Sequence, residues 1–333
     1  MDIGVVGAGS WGTSLADVLA KKGYRVELWA YETELVEYMN LHRENKQYLP
    51  GIGLSQNLSF TSSLKDVVSH EVVLLVPPSQ RMRSVLEQSA PYFNRSATIV
   101  SASKGIENST LGLMSDVISE VLEIDHSRAK TAFISGPTFA REIAEEIPSA
   151  AVVASENEDV ANTVQDMFST DYFRIYSNQD VIGTEVGGAL KNIIALAAGV
   201  CDGLKYGNNT RAALITRGLA EMKRVGIALG ARAETFAGLA GMGDLVLTCT
   251  GELSRNRSVG IALGEGKNLV DILSGMHMVA EGVETTRSAY HLAAKLKIDV
   301  PIINQMYAVL YEDKDPRTAV VELMRRSLKS EYI

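Results

Sequence analysis

DIGVVGAGSWGT, residues 2–13, decides the fold. Asp2–Val6 reads as a short strand, three glycines at G-x-G-x-x-G spacing follow at once, and an apolar-periodic run from Thr13 to Lys22 reads as a helix. Each glycine meets a separate demand. Gly7 makes the tight turn, Gly9 lets a pyrophosphate approach the backbone, and Gly12 lets helix and strand pack closely. Free amides at the helix start then face the anion. A glycine fingerprint alone is weak, but a strand before it and a helix after it make a dinucleotide site the expectation.

The pattern continues outward. Short β-branched runs at Arg25–Trp29, Val72–Val76, Thr98–Ser101, Thr131–Ser135, Ala150–Ala154 and Phe173–Tyr176 alternate with helical stretches. Strand, helix, strand predicts an α/β fold, an N-terminal Rossmann-type and mostly parallel sheet covered on both faces. From about Asp180 the runs become helical: Val181–Asp202, Arg211–Leu229, Ala233–Ala240, Val259–Leu263, Leu269–Leu273, Thr285–Leu296, Ile302–Tyr311 and Pro316–Arg325. This predicts a C-terminal all-α domain. The expected division is a dinucleotide-binding domain over 1–178 and a helical substrate and catalytic domain over 179–333. No low-complexity linker separates them, so a packed interface with a cleft is expected between them.

Which dinucleotide binds is less legible. An acidic residue about 20 positions after the fingerprint favours NAD, and a cation there favours NADP. Trp29-Ala30-Tyr31-Glu32 gives neither signal cleanly. Glu27 is expected to alternate along its strand, and Glu32 to open a helix, where a carboxylate suits the dipole.

Composition narrows the class. A chain of 333 residues, 46% hydrophobic, can bury a large core. Its net charge of -8 argues against a nucleic-acid footprint. The two cysteines, Cys201 and Cys249, lack the companions of a zinc or iron–sulfur site, so no metal and reduced thiols are expected. The first apolar run begins at Ile3 without a basic leader, and no run is read as long enough to span a membrane, so a cytoplasmic protein without an integral membrane segment is expected.

Polar residues cluster in four tight islands: Ser101–Glu107, Ser135–Glu142, Gly238–Thr250 and Ser254–Arg257. Lys104 follows a strand and so lies at the carboxyl edge of the sheet, where open α/β folds bind ligands. Gly136 and Thr138 can offer an amide and a hydroxyl. Asp244 lies in a glycine-rich bend, and Arg255 with Asn256 suits the planar oxygens of a phosphate. Against these stand ordinary readings: a surface lysine, a plain turn, and surface ion pairs at Arg255 and Arg257. Lys191 resists such a reading. It sits in the small and apolar helix GALKNIIALAAGV, residues 188–200, with no carboxylate three or four residues away, so its partner must come from elsewhere in the fold or from a ligand.

Together GAGSWGT (7–13), SASKGIE (101–107), SGPTFARE (135–142), GGALKNIIALAAG (187–199), GLAGMGDLVLTC (238–249), SRNRSVG (254–260) and VAEGVETT (279–286) span nearly the whole chain. In this order they resemble the NAD(P)-dependent glycerol-3-phosphate dehydrogenases of soluble bacterial type. The resemblance implies reversible hydride transfer from NAD(P)H between dihydroxyacetone phosphate and sn-glycerol 3-phosphate, at the head of phospholipid synthesis. It implies Lys191 as general acid and base, with Lys104 and Asp244 beside it. Substrate would be held by Lys104, Gly136, Thr138, Lys191, Asp244, Thr248, Ser254, Arg255 and Asn256. The cofactor side would comprise Gly7, Gly9, Ser10, Trp11, Gly12, Tyr31, Lys104, Ala140, Arg255, Val279 and Glu281. Family members often carry Arg, His or Lys where this chain has Ala30-Tyr31, and often Ser at Thr138.

The implied chemistry gives Lys191 a task. Ketone reduction leaves an alkoxide that must gain a proton, and a lysine in a dry cleft with a neighbouring cation can give one. Small residues around it are expected to leave room for a three-carbon substrate. A 3-hydroxyacid dehydrogenase is the enzymatic rival, but its lysine is usually followed four residues later by Asn, and position 195 is Ala. A non-catalytic NAD(P)-sensing regulator would have no use for Lys191, Lys104 and Asp244 together. Oligomeric state, including a homodimer, is left open.

Overall fold

The computed structural model describes residues 1–124, 130–276, 279–328 and 330–331. Eight strands form one sheet: β1 (Asp2–Val6), β2 (Arg25–Trp29), β3 (Leu58–Thr61), β4 (Val72–Leu75), β5 (Thr98–Ser101), β6 (Thr131–Ser135), β7 (Ser149–Ala154) and β8 (Phe173–Asn178). Between them run α1 (Ser10–Lys21), α2 (Thr33–His42), α3 (Leu64–Val67), α4 (Met82–Ser89), α5 (Met114–Leu122), α6 (Ala140–Ala144) and α7 (Glu158–Phe168). Then come α8 (Val181–Gly203), α9 (Asn208–Ala228), α10 (Asp244–Thr250), α11 (Arg255–Gly264), α12 (Leu269–Ser274), α13 (Glu281–Leu296), α14 (Pro301–Tyr311) and α15 (Pro316–Met324).

The strand order is β3-β2-β1-β4-β5-β6-β7-β8. The order reverses between β1 and β4, which places the glycine fingerprint at the switch point where such sheets bind ligands. β1 and β4 are buried almost throughout, as expected of central parallel strands covered on both faces. One pair departs from parallel: β7 runs against β6, with Ser135 opposite Val152. The link between them holds only the five-residue α6, which rises about 7.5 Å against strands of about 20 Å. β3 was not foreseen; its four residues carry one β-branched side chain, and its alternating exposure marks an edge strand.

α8 is the axis of the helical half. By length and apolarity alone it would cross a membrane, contrary to the sequence reading, but 89% of its most apolar window is buried inside the protein. Asp180 caps it through Gly183 N and also binds Arg232 N and Thr235 Oγ1, anchoring the next segment. At its far end Gly199 and Gly203 meet Gly260 and Gly264 of α11. An added Cβ on Gly203 would stand 2.3 Å from Ile261 O, so these backbones touch. This contact sets where the first turn of α11 sits against the middle of α8. The segment read as a helix over Ala233–Ala240 is instead a 3-10 turn at Ala233–Ala237 and a widened π turn at Leu239–Gly243, continuing into α10.

Candidate active site

Lys191 projects from the middle of α8 and is only 6% exposed. Its ammonium bonds Asp244 Oδ1. Asp244, wholly buried, lies where the π turn passes into α10. Its other oxygen, Oδ2, accepts from Lys104 Nζ at 2.7 Å, and Lys104 also donates to Gly136 O at 3.2 Å. Thr248, one turn on, donates to Asp244 O at 2.6 Å and lies 3.3 Å from Oδ1. Thr138 Oγ1 donates to Gly136 O. One carboxylate therefore bridges two ammoniums brought from β5 and α8.

Glycines make this convergence possible. A Cβ on Gly187 would stand 2.3 Å from Ala240 O, and one on Gly188 2.7 Å from Ser135 Oγ. The small residues beside Lys191 therefore admit the π turn and the end of β6. At these two positions the space beside the helix is taken by the protein itself, where the sequence reading expected small residues around Lys191 to leave room for substrate.

Burial pulls the Lys191 pKa down from 10.5 to about 7; Asp244 opposes this and the Lys104 charge adds to it. For Asp244, burial pushes upward, but the two ammoniums outweigh it and hold the carboxyl below its usual range.

A second group adjoins the first through Asn192. Asn256 Nδ2 donates to Asn192 Oδ1 at 2.9 Å, and Gly282 N donates to Asn256 Oδ1 at 3.0 Å. Arg255, exposed at the start of α11, donates to Val279 O at 3.0 Å; partial desolvation lowers its pKa against the pull of Glu281. Ser254 caps α11 through Arg257 N, while Arg257 itself is committed to Asp202. Glu281 accepts from Ser79 Oγ at 2.6 Å, tying α13 to the loop after β4, and burial raises its pKa. Nothing in the sequence marked Ser79 for this.

The glycine fingerprint forms a separate feature. Gly7 has φ of 113°, and a Cβ there would stand 2.9 Å from Val76 O. A Cβ on Gly12 would stand 1.9 Å from Gly7 O, whereas one on Gly9 would meet nothing within 4 Å. α1 has neither a side-chain cap nor an acidic first turn, so its leading amides, including those of Ser10 and Trp11, are free for an anion. Trp11 Nε1 is buried without a partner. These features fit a dinucleotide. Tyr31, 82% exposed, lies past the end of β2, and Ala140 opens α6 beside α1. Among the described residues no hydrogen bond joins Ser10, Trp11, Tyr31 or Ala140 to the Lys191 cluster, and no three His, Cys, Asp or Glu side chains gather to hold a metal.

Two family models match the chain: NAD-dependent glycerol-3-phosphate dehydrogenase N-terminus over residues 2–161 and C-terminus over residues 180–321. The chain is similar to the glycerol-3-phosphate dehydrogenase [NAD(P)+] of Syntrophotalea carbinolica, 59% identical with 99% of each chain covered. It is 58% identical to that of Citrifermentans bemidjiense at the same coverage. Among solved structures, glycerol-3-phosphate dehydrogenase from Coxiella burnetii superposes with a TM-score of 0.94 at 40% identity, covering 98% of this chain and 99% of that one. D-mandelate dehydrogenase, at 11% identity and a TM-score of 0.64, shares the fold alone.

Proposed function

The chain belongs to the NAD-dependent glycerol-3-phosphate dehydrogenase family, and from that premise we propose that Lys191, Lys104 and Asp244 form its reacting centre. The protein is an NAD(P)-dependent oxidoreductase that interconverts dihydroxyacetone phosphate and sn-glycerol 3-phosphate. The rival 3-hydroxyacid and regulator readings are not favoured.

NAD(P)H supplies the hydride when bound. Lys191 then gives a proton to the oxygen that becomes the alcohol and takes it back in the reverse direction. Lys104 keeps a second positive charge near that oxygen, and Asp244 fixes both ammoniums, with Thr248 bracing it. Arg255 and Asn256 hold the substrate phosphate, with Ser254, Gly136 and Thr138 completing the pocket. Gly7, Gly9, Ser10, Trp11 and Gly12 hold the cofactor pyrophosphate, and Tyr31, Ala140, Val279 and Glu281 flank the rest. In this scheme residues 1–178 form the dinucleotide-binding domain and lend Lys104, Gly136 and Thr138 to the substrate, and 179–333 form the helical domain that brings Lys191, Asp244 and the other substrate groups. Cytoplasmic location belongs to the same proposal; assembly as a homodimer, left open by the sequence, is read by light scattering.

The observation that carries the scheme is the buried carboxylate shared by two ammoniums, one of them pulled toward neutral pKa. The test is the loss of reduced-nicotinamide absorbance with dihydroxyacetone phosphate, run with NADH and NADPH in parallel. No loss with either would sink it.

A further inference from the structure

The end of β2 lies against the glycine fingerprint: Gly7 N donates to Trp29 O at 3.1 Å. Just beyond stands Glu32, about 20 residues after Gly12. It takes the position that opens α2, but its side chain caps nothing. Instead Glu32 Oε1 accepts from Tyr48 Oη at 2.8 Å. Tyr48 N donates to Asn45 Oδ1 at 3.1 Å. Asn45, fully buried, donates from Nδ2 to Ala8 O and to Thr13 Oγ1, each at 2.8 Å. A continuous run of hydrogen bonds thus fixes Glu32 relative to the glycine loop. Its second oxygen, Oε2, has no hydrogen-bond partner among the described residues.

We propose that Glu32, held by Tyr48 and Asn45, chooses the cofactor by its adenosine ribose, accepting from a free 2′-hydroxyl through Oε2 and repelling a 2′-phosphate, so that this chain favours NADH. The inference rests on the dehydrogenase reading and adds the cofactor choice to it. A hydroxyl donating to an ionised carboxylate makes a charge-assisted bond, whereas a phosphate beside the same carboxylate meets like charge. The nearby positions that would offset that repulsion carry no cation: they are Ala30 and Tyr31. Arg43 is engaged with Ser55 O and stacked over Phe60, and Lys46 lies over the Tyr38 ring. Tyr48 is itself suited to hold a carboxylate. Burial, and then its bond to Glu32, push its pKa up to about 12, so it stays a donor.

Trp11 and Trp29 flank the site, so quenching of tryptophan fluorescence on the full chain gives dissociation constants without turnover. NADH is expected to bind about tenfold tighter than NADPH or better. Glu32→Gln should bring the two within about threefold, by weakening NADH and strengthening NADPH. Tyr48→Phe, which keeps the charge but frees it, should move the ratio part of the way. As a second readout, 2′,5′-ADP should compete poorly with NADH on the natural chain and better on Glu32→Gln. Equal or tighter binding of NADPH by the natural chain would overturn the inference. So would an unmoved ratio in Glu32→Gln, or in Tyr48→Phe if the first variant does not fold. Each of these leaves the dehydrogenase reading intact; only a chain that binds neither dinucleotide removes both.

Discussion

Glu185 and Lys191 lie within two turns of each other on α8 and are almost equally buried, yet the protein treats them in opposite ways. Lys191 meets a carboxylate that it shares with Lys104. Glu185 meets the amide and hydroxyl of Ser115, at 3.0 and 2.5 Å, and the backbone of Met114, and among the described residues no cation pairs with it. Burial accordingly raises its pKa from 4.5 to about 8, against the pull of Ser115, and leaves it protonated at neutral pH. On the proposed mechanism, a buried charge is kept where a proton must be exchanged with a substrate. A buried carboxyl is neutralised where α5 and α8 merely have to be joined.

Lys191→Met should break this contrast at its charged end. The variant keeps the apolar stem but has no proton to give. Turnover is expected to fall by about 10²- to 10⁴-fold from lost acid catalysis, and further from lost charge at the alkoxide. Nucleotide binding at the glycine loop should persist, and stability should hold or rise. The sign follows from the lowered pKa: the folded state binds fewer protons than the unfolded between about 7 and 10.5, so natural Lys191 weakens the fold most below that window. Turnover, cofactor binding and melting temperature on one preparation decide the matter. Near-normal turnover would refute the mechanism, and a destabilised variant with proportionate loss of binding would mark a structural lysine.

Asp244→Asn should sharpen the contrast from the other side. It leaves two ammoniums in a dry site without their carboxylate, and breaking a buried pair in this way costs about 3–5 kcal/mol. Because the Asp244 pKa is lowered, its contribution is complete at neutral pH and is lost only as pH falls below the ordinary 3.8. Denaturant midpoints should therefore differ widely between natural chain and variant at neutral pH and converge in strong acid. A gap independent of pH would place the stabilisation elsewhere.

The two ends of this contrast were unequally legible in the sequence. Lys191 drew notice because a lone cation in an apolar helix lacks a local partner, and Asp244 because it follows a run of glycines. Both signals are local. Glu185 gave none, since its meaning depends on Ser115 of another helix, far away in sequence. The glycine fingerprint was readable for the same local reason, whereas nothing local showed that Gly187 and Gly188 beside Lys191 are met by Ala240, Ser135 and Lys104 from distant segments. A polar first turn hid the start of α11, and Glu32 looked like an ordinary helix opener until Tyr48 was seen to hold it. Periodicity reports how an element faces the core, but it carries no information on which distant group meets a given polar atom.

Glu185→Gln tests the neutral end. Glutamine reproduces the protonated acid, accepting from Ser115 N and donating to Ser115 Oγ. With its pKa raised in the fold, natural Glu185 makes folding take up a proton between 4.5 and about 8, so stability falls as pH rises through that window. The variant lacks this slope. It should match the natural chain near the acid end and exceed it by on the order of 3 kcal/mol at pH 7. Parallel stability curves across the window would show that Glu185 is ionised in the fold and erase the contrast with Lys191.

Gly203→Ala addresses whether these effects belong to the two sites or to α8 as a whole. Gly203 closes the helix, carries no charge and sits against the far end of α11, away from Arg255 and Asn256. Alanine is the better helix former by up to about 1 kcal/mol, which by itself would stabilise the variant. The added Cβ, however, falls 2.3 Å from Ile261 O and 2.9 Å from Gly264 Cα, backbone atoms that cannot rotate away. Overpacking of this kind costs about 1–3 kcal/mol, so a net loss near 1 kcal/mol is expected. Turnover, substrate KM and the slope of stability with pH should all stay as in the natural chain. If Gly203→Ala instead lowered turnover or altered the pH slope, displacement of α8 itself would explain the losses at Lys191 and Glu185, and the opposite treatment of the two groups would no longer need a chemical cause.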